Sequence, residues 1–219
     1  MRYKAVIFDL DGTILDTLED LTDATNAALK QNHYPERSID EVRSFVGNGI
    51  RLLIERAVPI GLTASEVDRV FEDFKTYYGE HCSDKTKPYD GIPELLQTLK
   101  KEGCKIAVVS NKADRAVQVL CRQYFKDQFD FAVGEREGIQ KKPAPDSVNE
   151  TLRIFRLNAG DAVYVGDSEV DIQTAENAHM DSIIVDWGFR ERAFLVKSGA
   201  ACMVSSPTEL LSELGSERT

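Results

Sequence analysis

The stretch Ala5-Val6-Ile7-Phe8-Asp9-Leu10-Asp11-Gly12-Thr13 decides the fold, because an apolar run leads directly into two carboxylates and a glycine. A short run of consecutive apolar residues is typical of a strand that is buried on both faces of a sheet. While the backbone stays extended, Asp9 and Asp11 project to one side and Leu10 projects to the other. The stretch therefore predicts a buried first strand that ends in two neighbouring carboxylates.

Two explanations of this carboxylate pair remain open from the residues alone. Neighbouring carboxylates repel each other, so the pair is costly unless a cation or a shared proton compensates the charge. Mg²⁺ prefers oxygen ligands and would resolve the repulsion between Asp9 and Asp11. Alternatively, the two acids only begin a turn in which Gly12 supplies a positive φ.

The length and charge of the chain limit the classes of protein to which it belongs. Its 219 residues suit one large domain, or a domain with a smaller companion. The net charge of -10 argues against a nucleic acid or an anionic membrane surface as partner. No apolar run reaches the roughly 20 residues of a membrane helix, and residues 1–4 lack a signal-peptide pattern. The scattered cysteines match neither a zinc site nor a redox motif, so we expect reduced thiols and a cytoplasmic location.

Further strand-like segments alternate with helical patterns along most of the chain. The interval from Ile92 to Glu102 places leucines on one face and is followed by Gly103, which is typical of a helix C-terminus. Strands that alternate with helices predict an α/β fold with an open parallel sheet and right-handed crossovers. The expected strands are 105–109, 129–133, 162–165, 182–185 and 201–204, the last of them at an edge.

Residues 16–85 interrupt this alternation, because they contain helix signals and no convincing strand. Ser38 and Thr63 each stand three residues before a glutamate, which is the pattern of a capping box. After Thr63, apolar residues recur at helical spacing as far as Tyr78, which is typical of a stripe packed against neighbouring helices. The chain therefore predicts a core domain of residues 1–15 and 86–219, with a helical cap domain, residues 16–85, inserted after the first strand.

Polar residues follow the expected second strand directly. In an open α/β sheet, functional groups collect outside the carboxyl ends of the strands. Ser110, Asn111 and Lys112 come at such an end and are expected to open the next helix, whose free N–H groups suit a phosphate oxygen. Ser110 and Asn111 also fit simple helix caps, and the residues alone leave both explanations open.

Acidic and basic residues follow the later strands as well. Asp167 and Asp171 lie one helical turn apart after the strand at 162–165, and two acids at that spacing repel unless a cation is present. Lys142 precedes two prolines that stiffen the segment between the strands. Each signal is weak alone, but their order along the chain, with most of them at a strand end, is specific.

Taken together, these motifs resemble those of the haloacid dehalogenase superfamily of phosphatases. The four motifs of that family are an Asp-x-Asp-Gly-Thr stretch, a Ser or Thr, a Lys, and a Gly-Asp-x-x-x-Asp stretch. Here they correspond to residues 9–13, Ser110, Lys142 and residues 166–171. The resemblance covers essentially the whole chain and implies a Rossmann-like core with an inserted helical cap. Residues 46–53, 110–112 and 186–190 look like the phosphoglycolate phosphatase-like branch, although Phe189 stands where that branch often has Tyr.

The resemblance implies a role for each motif residue. Asp9 would be the nucleophile that forms an aspartyl-phosphate, and Asp11 would be the general acid and base. Mg²⁺ would be bound by Asp9, Asp167 and the Asp11 main-chain carbonyl, with Asp171 acting indirectly. The groups expected to hold the phosphoryl oxygens are Ser110, Lys142 and the Asn111 amide, while Thr13 would fix the loop.

The resemblance also implies that the cap selects the substrate, a small phosphorylated metabolite for which 2-phosphoglycolate is the first expectation. Asn48 and Gly49 form an expected turn, with Arg51 just beyond it at a helix start. Arg51 would pair with a substrate carboxylate through two parallel hydrogen bonds, or it is a solvated surface residue; both explanations stay open.

Other activities compete with this expectation. Pyrophosphate, sugar phosphates and nucleotides are alternative substrates within hydrolysis, and a phosphomutase of the β-phosphoglucomutase type would use the same core. A catalytically silent binding module is a further class, but the complete set of motif residues argues against it. Monomer and homodimer are equally open.

Overall fold

The computed structural model describes residues 1–215 and has a parallel sheet at its centre. Its strand order is β5-β4-β1-β6-β7-β8, and every neighbouring pair is parallel. The six strands are β1 (Ala5–Phe8), β4 (Lys105–Ala113), β5 (Phe131–Glu135), β6 (Ala162–Gly166), β7 (Asp181–Val185) and β8 (Met203–Val204). The expected α/β fold is therefore confirmed.

The first strand lies at the middle of this sheet and is buried on both faces. Alternate residues of β1 belong to two different apolar clusters: Val6 and Phe8 to one, Ala5 and Ile7 to the other. All four side chains are at most 1% exposed. Helices therefore cover both sides of the sheet, as an all-parallel sheet requires.

Helices connect the strands of the core, and a group of four helices, α1 to α4, lies between β1 and β4 and is called the helical group below. The helices are α1 (Leu18–Gln31), α2 (Ile39–Phe45), α3 (Ile50–Ala57), α4 (Ala64–His81), α5 (Ile92–Lys101), α6 (Asp114–Phe125), α7 (Asp146–Phe155), α8 (Glu169–Asn177), α9 (Arg192–Lys197) and α10 (Pro207–Gly215), with a 3₁₀ turn at Ala159–Asp161. None of the helices within residues 1–215 is long and apolar enough to span a bilayer.

The expected strands exist, but the bounds of three of them differ. Strand β5 begins two residues later than its apolar pattern suggests, and β8, at the sheet edge, is only two residues long. Strand β4 continues to Ala113 with an irregular register beyond Val109. The prediction that Ser110, Asn111 and Lys112 open a helix was therefore wrong, because α6 begins at Asp114. These residues stay extended because Ala113 pairs with Glu135 of β5.

Four helices, α1 to α4, fill the interval between Leu18 and His81. The capping boxes of Ser38 and Thr63 are both formed at the starts of α2 and α4. On α4, Val70, Phe74 and Tyr78 are buried, as their helical spacing predicts. The sequence analysis missed a two-stranded antiparallel ribbon of β2 (Leu15–Asp16) and β3 (Lys87–Pro88), because two residues carry no periodicity.

The ribbon lies where the chain leaves the sheet and returns to it. Beside it, the buried carboxylate of Asp20 accepts hydrogen bonds from the backbone N–H groups of Lys85 and Thr86, at 2.8–3.1 Å. Tyr124 of α6 donates to the Thr86 carbonyl at 2.7 Å. These bonds fix the two connections between the helical group and the core.

Candidate active site

The carboxyl end of β1 delivers Asp9 into a crowded turn. The Asp9 backbone N–H still bonds to the Val165 carbonyl at 2.8 Å, so the sheet fixes this residue directly. Gly12 follows with φ of 82°, and a Cβ there would lie 2.3 Å from an Asp167 carboxylate oxygen. Glycine is therefore required both for the turn and for the approach of Asp167 to the first strand.

Asp9, Asp167 and Asp171 form a buried acidic cluster at the ends of β1 and β6. One oxygen of each lies within 4.8 Å of those of the others, which is close enough for the three to share a cation. Burial raises the pKa of Asp9 to about 6, against the opposing effect of Lys142. Burial, together with the charges of Asp171 and Asp9, also holds the pKa of Asp167 well above its ordinary value. Lys142, the cation that contacts Asp9 and Asp171, offsets only part of the charge of the three carboxylates, so the cluster can hold a metal ion.

The three carboxylates differ in how many of their oxygens the protein already uses. Asp171 accepts from Lys142 at 2.8 Å through one oxygen and from the Ser168 N–H and hydroxyl through the other. Asp167 accepts from the Phe189 N–H at 2.7 Å and more weakly from the Thr13 hydroxyl at 3.3 Å. Asp9 Oδ1 is buried and makes no well-aligned hydrogen bond within residues 1–215, and its contact is the ion pair with Lys142 at 2.9 Å. Asp9 therefore has the most free ligand capacity, and Asp171 has the least.

Lys142 connects this cluster to the sheet. Its Nζ lies 2.9 Å from Asp9 Oδ1 and 2.8 Å from Asp171 Oδ1, and it donates to the Tyr164 hydroxyl at 3.0 Å. Burial alone would lower the pKa of Lys142, but the carboxylates of Asp171 and Asp9 outweigh it and raise the pKa. Lys142 is therefore a fixed cation beside the Asp9 carboxylate.

Asp11 belongs to a different set of contacts, on the side toward the helical group. Its carboxylate accepts from the Thr17 hydroxyl at 2.7 Å and from Lys112 Nζ at 2.8 and 3.1 Å. The Lys112 side chain is 1% exposed and that of Asp11 is 15% exposed. Asp11 is thus held at the edge of the acidic cluster with access to the space above Asp9.

Ser110 and Asn111 line the same space from the end of β4. The Asn111 side-chain amide donates to the carbonyls of Lys142 at 3.0 Å and Gly47 at 3.4 Å. Its Oδ1 is buried without a partner among the described residues. Asn111 therefore joins the strand ends of the core to the loop before α3.

A narrow cavity, open to solvent, lies above these groups. The core supplies polar walls that include Asp9, Asp11, Ser110, Asn111 and Asp167. The helical group supplies a mostly apolar wall, which consists of Leu21, Val46, Gly47, Gly49, Ile50 and Leu53. Such a space suits a small molecule with one highly charged end.

Not every candidate residue from the sequence lies in this cavity. Thr13 is buried below it and contacts Asp167, as expected of a residue that fixes the loop. Gly49 lines the cavity and, with φ of 88°, begins α3, whereas Asn48 is not part of the wall. Arg51 also lies outside the wall, where it pairs with Glu55 at 2.8 Å and with Asp68.

Several residues that shape the site lie outside the four motifs, although Lys112, Gly188 and Arg190 belong to the stretches that resemble the phosphoglycolate phosphatase-like branch. Tyr164 belongs to an apolar strand pattern, and Lys112 is one cation beside two polar residues. At Gly188, a Cβ would lie 2.4 Å from both Asp167 and the Gly12 carbonyl, so this glycine is required for packing against the first motif. Beyond its place in residues 186–190, the hint of Arg190's contact between the core and the helical group is its donor-rich side chain.

Arg190 makes that contact at the mouth of the cavity. Its guanidinium pairs with Glu169 at 2.9 Å and donates to the carbonyls of Val46 at 2.6 Å and Arg43 at 3.1 Å. These carbonyls lie at the C-terminal end of α2, where a cation is favourable. Arg190 therefore ties the helical group to the loop that also binds Asp167 through Phe189.

Comparison with known proteins gives a consistent family. The model of the haloacid dehalogenase-like hydrolases matches residues 6–185. The chain is 34% identical to the phosphoglycolate phosphatase of Psychrobacter arcticus, over 86% of each chain. It is 31% identical to the N-acetylmuramic acid 6-phosphate phosphatase of Pseudomonas aeruginosa, over 98% of this chain and 96% of the other.

Solved structures agree with the sequence comparison. A crystal structure from Lactobacillus delbrueckii subsp. bulgaricus has a TM-score of 0.93 and 42% identity, covering 98% of this chain and 99% of the other. A predicted phosphoglycolate phosphatase from Haemophilus somnus has a TM-score of 0.90 and 29% identity, covering 97% and 98%. The match of the family model, which extends over most of the sheet, confirms the resemblance drawn from the four motifs: this chain belongs to the haloacid dehalogenase-like hydrolase family.

Proposed function

We propose that this protein is a phosphatase that hydrolyses small phosphate monoesters through an aspartyl-phosphate on Asp9, with 2-phosphoglycolate as its expected substrate. The observation that carries the proposal is the Asp9 carboxylate. It lies on the floor of the cavity, buried, with Oδ1 paired to the Lys142 cation at 2.9 Å. A buried carboxylate beside a fixed cation is suited to attack an anionic phosphoryl group.

In the first step, a carboxylate oxygen of Asp9 attacks phosphorus and the bond from phosphorus to the substrate's leaving oxygen breaks. Asp11 gives that oxygen its proton, so that an alcohol leaves instead of an alkoxide. The groups placed to hold the remaining phosphoryl oxygens are Ser110 and Asn111, which line the space above Asp9, and Lys142, which contacts the Asp9 carboxylate.

In the second step, water attacks the phosphorus of the aspartyl-phosphate and Asp11 takes up a proton from that water. The bond between phosphorus and Asp9 breaks, which releases inorganic phosphate and restores the free carboxylate. Asp11 therefore ends the cycle protonated, as it began, and one side chain serves as acid and then as base.

The donor set fits a hard divalent cation such as Mg²⁺. Asp9 and Asp167 offer buried carboxylate oxygens, the Asp11 main-chain carbonyl is the third expected ligand, and Asp171 is already bound to Lys142 and Ser168. When bound, Mg²⁺ would offset the repulsion between the anionic phosphoryl group and the Asp9 carboxylate.

The cavity and the relatives support different parts of the substrate proposal. The residues of the cap wall, such as Leu21 and Ile50, enclose the space above Asp9 and favour a small leaving group. Several relatives at about the same identity are named phosphoglycolate phosphatases, and these support 2-phosphoglycolate. The relative from Pseudomonas aeruginosa matches over 98% of this chain, so a sugar phosphate with an acidic substituent is the second candidate.

The test is release of inorganic phosphate from a panel, with and without Mg²⁺, by the wild type and by Asp9→Asn. The panel contains 2-phosphoglycolate, N-acetylmuramic acid 6-phosphate, pyrophosphate, simple sugar phosphates and nucleoside monophosphates. Mg²⁺-dependent release that is fastest with 2-phosphoglycolate and absent in Asp9→Asn supports the proposal. Comparable rates across the panel would remove the substrate assignment, and isomerised sugar phosphate without free phosphate would indicate a mutase.

A further inference from the structure

We propose that Lys112 is the positioning residue of Asp11 and that it conveys the position of the cap helix α4 to this carboxylate. The inference rests on the proposed function, because it concerns how Asp11 transfers protons. It goes beyond the four motifs, which include Asp11 but give Lys112 no role.

The Asp11 carboxylate depends on Lys112 for its orientation. Lys112 Nζ contacts both carboxylate oxygens, at 2.8 and 3.1 Å, and it supplies the hydrogen bond to Oδ2. The Thr17 hydroxyl contacts only Oδ1. One contact leaves a carboxylate free to turn about its last bond, whereas contacts to both oxygens fix its plane.

Lys112 also has a partner in the cap. Its Nζ lies 4.7 Å from the centre of the ring of Tyr78, a residue of α4. Tyr78 is 3% exposed, and its hydroxyl has no hydrogen-bond partner among the described residues. A buried cation over a tyrosine ring gains from the ring's negative face.

The backbone of Lys112 is fixed independently of this contact. At Gly134 of β5, a Cβ would lie 2.3 Å from the Lys112 carbonyl, so only glycine permits this approach of the neighbouring strand. The Lys112 N–H donates to the Ser110 hydroxyl at 3.3 Å. Lys112 is thus anchored in the core at one end and touches the cap at the other, with Asp11 between these elements.

This arrangement separates two parts of the reaction. On this inference, attack by Asp9 on phosphorus depends on Lys142 and the phosphoryl contacts, whereas Lys112, which also lines the cavity, acts through Asp11. Proton transfer by Asp11 depends on the orientation that Lys112 gives to the carboxylate. Loss of Lys112 should therefore slow proton transfer to an alkyl leaving group and from the attacking water, and leave the attack by Asp9 intact.

The experiment compares Lys112→Met with Lys105→Met. Lys105 belongs to the same strand, but its side chain lies on the surface, where it pairs with Asp130 at 2.9 Å. With 2-phosphoglycolate, or with whichever alkyl phosphate the wild type hydrolyses, we expect kcat of Lys112→Met to fall about 10- to 100-fold, since correct orientation carries much of the benefit of acid–base catalysis. Lys105→Met should keep the wild-type kcat.

An aryl phosphate gives the distinguishing readout. p-Nitrophenolate leaves without needing a proton, so Lys112→Met should release one equivalent of it in a rapid burst, at close to the wild-type first-turnover rate. Slow turnover should follow, because hydrolysis of the aspartyl-phosphate still requires Asp11 to take up a proton. Asp11→Asn should show the same burst, whereas Ser110→Ala should slow the burst itself.

A double-mutant cycle provides the second readout. If Lys112 acts through Asp11, then Lys112→Met should change kcat little in the Asp11→Asn background. Lys112→Arg should recover part of the loss, and Tyr78→Phe, which keeps the ring, should lose less than Tyr78→Leu. The circular dichroism spectrum and Tm of Lys112→Met will show whether it folds. If it does not, these milder variants test the inference instead.

Two results would overturn the inference. One is a Lys112→Met enzyme whose burst rate and steady-state rate fall equally. The other is a loss of kcat in Lys112→Met that multiplies with the loss of kcat in Asp11→Asn. Either result would mean that Lys112 acts on the substrate directly. A wild-type enzyme that releases no phosphate from any monoester would instead contradict the proposed function, which the panel detects before any variant is made.

Discussion

The Tyr164 hydroxyl accepts a hydrogen bond from Lys142 Nζ across 3.0 Å and donates one to the Val109 carbonyl at 3.0 Å. Lys142 thus has three partners, Asp9, Asp171 and Tyr164, which equals the number of N–H donors on an ammonium group. Tyr164 belongs to β6 and Asp171 to the first turn of α8, and both are fully buried, so they hold the ammonium in place. The remaining contact, to Asp9, is the one that an incoming phosphoryl oxygen can share.

Replacing Tyr164 by Phe should therefore loosen Lys142 without removing it. We expect kcat to fall about tenfold and inhibition by vanadate to weaken, because Lys142 is less well placed for the phosphoryl oxygens. The Val109 carbonyl loses its donor, so the free energy of unfolding should fall by about 1–2 kcal/mol. Phosphate release and urea unfolding measure the two effects.

Tyr34→Phe, in the segment between α1 and α2, is the matched control for this variant and should alter neither quantity. A Tyr164→Phe enzyme that is less stable but has unchanged kcat and vanadate inhibition would restrict Tyr164 to a structural role.

Tyr164 also illustrates what the sequence can and cannot predict. Apolar runs and helical periodicity are local signals, and they were sufficient for the six-stranded sheet, both capping boxes and the buried stripe of α4. The rule that functional groups collect at strand ends brought Asp9, Ser110 and Asp167 to one cavity. The contact between Tyr164 and Lys142 depends on residues 22 positions apart, and an apolar strand pattern conceals the hydroxyl that makes it.

The errors have related physical causes. Ser110 to Lys112 have the composition of a helix start, but pairing beyond them with β5 keeps them extended as far as Ala113. Strands β2 and β3 are too short for any periodicity, and only their pairing with each other defines them. In both cases, hydrogen bonds from a distant segment determine the backbone conformation, and the local conformational preference of the sequence does not.

The buried charge of Asp9 should make the metal-free protein less stable than its Asp9→Asn variant at neutral pH. Burial raises the pKa of Asp9 from 3.8 to about 6, so the folded state favours the protonated form. That stabilisation is complete below pH 3.8 and is lost as the pH rises through 6. Relative to Asp9→Asn, the wild type should therefore lose about 1–3 kcal/mol between pH 4 and pH 7.

Urea unfolding at several pH values, with EDTA present, measures this difference. Asp127→Asn, at an exposed aspartate, is the control and should show a difference that is independent of pH. Adding Mg²⁺ at pH 7 should stabilise the wild type more than Asp9→Asn, because a ligand stabilises the form that binds it. A pH-independent gain in Asp9→Asn would contradict a raised pKa of Asp9.

Replacing Arg190 by Met should weaken the attachment of the helical group, which forms the cap, to the core. The variant loses the donors to the Val46 and Arg43 carbonyls, which join α2 to the loop that binds Asp167. Because the cap completes the cavity, we expect KM to rise about 3- to 10-fold and kcat to change less. Steady-state kinetics with the best substrate of the panel will show this.

Arg192→Met is the control for this variant, since Arg192 has the same side chain two residues along and pairs with Asp186 on the surface. It should leave KM unchanged. An equal rise in KM for both variants would mean that the Arg190 contacts to the cap are not what holds the cavity together.

Arg51 gives a direct comparison between the expectation from sequence and the geometry. The sequence places it where it would bind a substrate carboxylate, but its guanidinium pairs with Glu55 and Asp68 and lies 5.4 Å from the centre of the Phe71 ring. These partners belong to the outer surface of α3 and α4, away from the cavity wall. A substrate would have to break two ion pairs before Arg51 could reach it.

We therefore expect Arg51→Leu to change KM by less than about threefold for any substrate, because exposed ion pairs contribute little. The measurement compares KM for 2-phosphoglycolate, which has a carboxylate, with KM for an alkyl phosphate of similar size that has none. Arg69→Leu, at an exposed arginine of the neighbouring helix α4, serves as the control. A rise in KM for 2-phosphoglycolate alone would show that Arg51 leaves its ion pairs when substrate binds, and it would make Arg51 the residue that recognises the carboxylate.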